Sequence, residues 1–333
     1  KKHFFLCGSF NKKLYLCKKN KHNMVNRSLL RIKALQVLYS SGINNNDINS
    51  TKIEIQHSIK QAYNLYHYLL LLISDTTNFV ELEDDKFKNR IQQEESFDHT
   101  RFMKNRFACQ MVQNVDLYSY IKDNQLDQYF WDKKFINKLF YTTITSPFYE
   151  EYLSNNDSYE NDKWIWRKIF EKILVDNEII RDELNQILED KNIFWINDFE
   201  IINSFVVKTI KQFKEENSSK QELLPLYNDE SDYKFISSII DYSFNNQAKI
   251  DDLYSRYLVN WDSDRISLID KIILRLSISE LLSNPTIPIS VTINEYIEIT
   301  KLFSSPKNSR FINGILDNII SHLKETNQLN KIN

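Results

Sequence analysis

The chain of 333 residues carries 43 Lys and Arg against 45 Asp and Glu, a net charge of −2, with 42 % hydrophobic residues, a balance that supplies a globular protein with a sizeable core. Its three glycines, Gly8, Gly42 and Gly314, exclude a glycine-rich phosphate loop or dinucleotide fingerprint, each of which needs several glycines within a few residues. Cys7, Cys17 and Cys109 are too few and too far apart for a zinc ribbon or disulfide framework, as suits a reducing cytoplasm, and the six histidines are scattered, so no metal or cofactor is expected.

The near-neutral total hides an asymmetry: residues 1–46 hold ten Lys and Arg and no Asp or Glu. A basic end on a slightly acidic body suggests a local contact with nucleic acid or an anionic surface, the alternative being a solvated tail. Residues 1–23 read as a disordered leader without the continuous apolar region of a secretory signal, and Met24 is a candidate start. The longest apolar run, around Tyr68 to Ile73, is far short of the roughly 20 residues that a membrane span requires.

In chain order, the hydrophobic spacing is helical nearly throughout, which predicts an all-α fold. Residues 27–40 place Leu30, Ala34, Leu35 and Leu38 on one stripe, stopped by Ser41-Gly42. Further helices are predicted over 52–81, 101–122, 132–145, 162–189 and 197–216. A polar stretch at 215–220 then separates a second series over 232–245, 248–258, 263–283, 292–303 and 308–325. Within 263–283 the apolar residues run almost all round, so this helix should occupy the centre of a bundle. Asn284-Pro285 and Pro288 end it, and Thr292 with Glu295 has capping-box spacing for the next helix.

Residues 263–282 read SDRISLIDKIILRLSISELL, followed by Ile287-Pro288, Ile293-Asn294-Glu295 and RFINGILD at 310–317. That order of motifs and gaps resembles the carboxy-terminal half of the NusB family of transcription antitermination factors. Arg27, Arg31, Ala34, Leu35, Gln36, Leu38 and Tyr39 are similar to that family's arginine-rich first helix. The resemblance covers about residues 26–42 and 221–325. It implies a helical bundle formed by the first helix (24–42) and residues 221–325, a helical insertion over 43–220 as an additional subdomain, and a flexible tail at 326–333. The insertion is rich in aromatic and aliphatic residues, so it should fold against the bundle rather than hang free.

In the family the first helix and the last two form a face for the boxA element of nascent ribosomal RNA. Carried onto this sequence, the resemblance implies RNA contacts from Arg27, Arg31, Lys33, Lys307 and Arg310, with Phe303 and Phe311 as flat surfaces for unstacked bases. Against this stand a solvated basic face and core aromatics. It also implies that Tyr39 and Asp270 meet NusE, the ribosomal protein that doubles as an elongation factor. An aspartate among apolar neighbours is costly if buried alone, so Asp270 should face solvent or a partner, or pair internally with a Lys or Arg. Gly314 lies mid-helix, where close packing against a neighbouring helix is the expected reason for it.

The function so implied is non-catalytic RNA binding in the cytoplasm, acting with NusE and, through other Nus factors, on the RNA polymerase elongation complex. The rivals are a helical protein-interaction scaffold and the NusB-like domain of an RNA methyltransferase. The latter needs a glycine-rich cofactor domain that this chain lacks in sequence.

Overall fold

A computed structural model describes residues 26–42, 47–91, 100–191, 198–227, 230–258, 266–329 and 331, and among them no strand occurs. The expected leader over 1–23 lies outside the described residues. Helix α1 (Arg27–Ser41) opens where Asn26 accepts a hydrogen bond from the Leu29 amide, and it closes at Gly42, whose φ of 71° is the positive value a glycine tolerates. Helix α2 (Ile48–Ile91) is a single long rod, longer than predicted, and from Leu65 to Ile73 every side chain is buried.

The helix predicted over 101–122 is three: α3 (Thr100–Met103), α4 (Arg106–Val112) and α5 (Val115–Asp123). The breaks have a local cause. Asn105 and Asn114 each turn a side-chain oxygen onto an amide three residues ahead, which starts a new helix in place of continuing the old one. Asp132 caps α6 (Lys133–Ile144) in the same way, and Pro147 at the first turn starts the unpredicted α7 (Pro147–Ser154).

Residues 162–189 also divide. Helix α8 (Tyr159–Lys168) passes through a π turn at Ile169–Ile173 into α9 (Leu174–Asp176), and Asn177 then caps α10 (Glu178–Asp190). At the π turn, Asn203 of α11 (Phe199–Gln212) donates to the Phe170 carbonyl at 2.9 Å, so a side chain occupies an acceptor in the widened ladder.

The carboxy-terminal part comprises α12 (Glu230–Asn245), α13 (Gln247–Ser255), α14 (Leu268–Ser283), α15 (Ile289–Phe303) and α16 (Pro306–Glu325). Helix α14 is buried almost all round, as its sequence predicts, and α1, α12, α13, α15 and α16 pack about it. Arg275, 1 % exposed, donates to the Ser243 hydroxyl at 2.7 Å and the Ser243 carbonyl at 3.0 Å, closing the end of α12. The capping box at Thr292 is not formed. Helix α15 begins directly after Pro288, which leaves Thr292 inside it with its hydroxyl donating to Glu280 Oε1 at 2.9 Å.

Helices α2 to α10 do not hang free. Helix α2 packs along α1, α11 and α12, and one continuous apolar core runs through both parts. Tyr66 Oη lies 2.7 Å from Thr209 Oγ1, and Tyr63 Oη donates to the Leu224 carbonyl at 2.8 Å. The tail is also attached: Leu329 packs on the core and Lys331 Nζ donates to the Ile287 carbonyl at 2.9 Å. The flexible tail expected at 326–333 is therefore held wherever it is described.

Candidate nucleic-acid interface

Helix α1 was expected to present Arg27, Arg31 and Lys33 to solvent. It lies instead between α2, α12 and α14, and Arg31 and Lys33 are 2 % and 0 % exposed. Arg31 holds Glu280 with two hydrogen bonds, Nε to Oε2 at 2.7 Å and Nη2 to Oε1 at 2.6 Å, and reaches Glu295 Oε2 at 3.2 Å. Ser28 Oγ donates to the same Glu295 oxygen. The guanidinium also lies 5.0 Å from the Phe235 ring centre and 5.9 Å from that of Tyr296. Burial disfavours its charge, yet the bonds and charge of Glu280 outweigh that effect and raise its affinity for the proton.

Lys33 pairs with Asp198, whose other oxygen accepts from Gln36 Nε2 at 2.9 Å. Burial lowers the Lys33 pKa against the pull of that carboxylate. Both cations are thus structural ion pairs, and neither is placed on an outer face. The signal that could have found the Arg31 pairing was Glu280, an acid on the largely apolar α14, where a buried carboxylate is stabilised by a cation.

Among the three α1 cations, Arg27 is the one on the surface. Its side chain is 43 % exposed, 5.0 Å from the Phe235 ring centre and 3.9 Å from Asp232. Lys307 and Arg310 are exposed on the first turns of α16, which Ser305 caps by accepting from the Asn308 amide at 3.1 Å. Phe303 and Phe311 are half-buried and packed against the core. These residues are joined through neighbouring helices: Ser28 and Arg31 tie α1 to Glu295 on α15, and α15 packs along α16.

The two residues expected on a partner face differ. Tyr39 is 45 % exposed at the end of α1. Asp270 is 2 % exposed, which corrects the expectation that it faces solvent; it accepts from Ser267 Oγ at 2.6 Å and from Asn308 Nδ2 at 2.9 Å. Its partners are neutral, Ser267 as the cap of α14 and Asn308 in the first turn of α16, not a Lys or Arg, and its Oδ1 has no hydrogen-bond partner among the described residues.

Gly314 is also not where its residue type suggested. A methyl group built on it meets nothing within 4 Å, and it is exposed, so helix packing does not require it. Relative to alanine it costs the helix about 1 kcal/mol.

Residues 199–321 match the model of the NusB family. The polar stretch 215–220, expected as a boundary, lies inside the match, and α1 to α10 precede it. A transcription antitermination protein NusB of Bacillus pumilus is 38 % identical over 120 residues, covering 36 % of this chain and 92 % of that protein. Its counterparts in Natranaerobius thermophilus and Clostridium botulinum are 43 % identical over 101 residues and 47 % over 91, covering 30 % and 27 % of this chain and 68 % of each relative. No solved structure matches the chain significantly. With nearly the whole of one relative covered, α11 to α15 and most of α16 inside the match and an additional helical region ahead of it, the chain belongs to the NusB family.

Proposed function

We propose that this protein is a non-catalytic RNA-binding antitermination factor that acts with NusE on boxA-like sequences of nascent ribosomal RNA, and through other Nus factors on the elongating polymerase. The observation that carries the reading is the exposed pair Lys307 and Arg310 beside the half-buried Phe311 at the start of α16, on a chain whose relatives are named antitermination proteins. Cations for phosphate and a ring for an unstacked base are what single-stranded RNA binding demands. Arg27 and Phe303 extend this face in the proposal, and Tyr39 is offered to the partner protein. Helix α1 serves as the first helix of the family unit, and the helices between it and α11 form an insertion ending near residue 198.

A second reading, a helical scaffold without RNA binding, is favoured by the burial of Arg31 and Lys33, which leaves fewer outward cations than the sequence promised. Fluorescence anisotropy with a boxA-sequence RNA, alone and with NusE, separates the two. Salt-sensitive binding strengthened by NusE supports the first reading, and binding of NusE without RNA the second.

A further inference from the structure

Gly314 sits in the middle of α16, yet the usual reasons for a glycine are absent there. It has no positive φ, and space for a Cβ is open, with no atom within 4 Å. Nothing inside the molecule therefore asks for the missing side chain.

Its surroundings on the helix do. At about 100° per residue, Gly314 falls at the centre of the exposed face formed by Lys307, Arg310, Asp317, Asn318 and Ser321, with the half-buried Phe311 at its edge. A helical side chain leans toward the helix N-terminus and covers the turn before its own Cα. Any side chain at 314 would therefore lie over Arg310 and Phe311. The glycine leaves that turn uncovered and brings the helix backbone to the surface.

We propose that Gly314 is the clearance point of the RNA-binding face: a nucleotide of the single strand lies directly on α16 at Gly314, beside Phe311, with Arg310 and Lys307 taking the adjoining phosphates. The occupant is RNA rather than protein because the cations flanking the gap, Lys307 and Arg310, are exposed and make no ion pair among the described residues; Asp317, exposed at the edge of the same face, is turned toward Asn313, accepting from its Nδ2 at 2.8 Å. This inference rests on the RNA-binding reading given above.

The test compares wild type, Gly314→Ala and Gly314→Gln in the full chain, using a labelled boxA-sequence RNA across a salt series, with thermal melting of each variant. Gly314→Gln should weaken RNA binding about tenfold or more, the scale of one lost base contact, while leaving the salt slope unchanged because no cation is removed. Its melting temperature should equal or exceed that of wild type, and Gly314→Ala, whose methyl meets no atom, keeps the comparison open should the longer side chain disturb folding. Equal RNA affinity of wild type and both variants overturns the inference and leaves the RNA-binding reading standing. Loss of NusE binding with RNA binding intact overturns it in favour of a protein occupant. Failure of wild type to bind the RNA with or without NusE defeats the reading itself, and the inference with it.

Discussion

Arg31 and Glu280 meet through two hydrogen bonds, at 2.6 and 2.7 Å, at a point where their side chains are 2 % and 0 % exposed. Removing one partner leaves a charge stranded in the core. Glu280→Ala should therefore lower the free energy of unfolding by about 3 kcal/mol or more, whereas replacing both residues with apolar ones of similar size should cost much less than the sum of the single changes. Chemical denaturation of the two single variants and the double variant measures this. Additive losses would show that the pair does not act as a unit.

The exposed cations should behave in the opposite way. Lys307→Ala and Arg310→Ala should each change stability by less than about 0.5 kcal/mol. Each should reduce the slope of log affinity against log salt by about 1, because one fewer phosphate is neutralised. Arg31→Ala should lose stability without that change in slope. RNA titrations at several salt concentrations, paired with melting curves, distinguish the two classes of arginine.

Asp270→Lys should unfold or severely destabilise the protein, since it replaces a carboxylate held by Ser267 and Asn308 with a buried cation that has no acid to meet. Asp270→Asn should be mild, because an amide fits the same two neighbours. Circular dichroism decides. A well-folded Asp270→Lys protein would return this side chain to the surface.

His67 supplies a pH dependence. It is 1 % exposed, its Nδ1 lies 2.8 Å from the Tyr63 carbonyl, and its ring stacks 3.7 Å from that of Tyr120. Burial pushes its pKa down from 6.5 to about 4. The folded state therefore resists the proton that the unfolded chain takes up, so this contribution is complete above pH 6.5 and is lost as pH falls toward 4. The loss amounts to roughly 3 kcal/mol. Stability measured across that window should fall less steeply for His67→Phe than for wild type, and parallel curves would remove His67 as the cause.

Much of the carboxy-terminal part was legible because its helices are amphipathic and its motifs are ordered. The all-round apolar residues of α14 announced a central helix. The amino-terminal part was blurred for a local reason: Asn105, Asn114 and Asn177 break continuous apolar periodicity by capping, and periodicity alone does not register a cap within an otherwise helical run. The site was harder. An arginine four residues from another looks the same on paper whether it faces solvent or an acid 249 positions away, so Arg31 and Lys33 were placed outside although their partners draw them in. Gly314 was recognised as needing a reason, but only its open surroundings showed that the reason is not packing.

The distance in sequence between Arg31 and its counterion also sets a timetable for biosynthesis. Lys33 waits 165 residues for Asp198, and Arg31 waits 249 for Glu280. At ribosomal elongation rates of about 5 to 20 residues per second, the second interval lasts roughly 12 to 50 s. During it, a helix whose leucines and paired cations belong to the core can meet α2 and then Asp198 and α12, but still lacks α14, the last of the helices that pack around it. Helix α1, translated ahead of the other described helices, is thus among the last of them to be sealed.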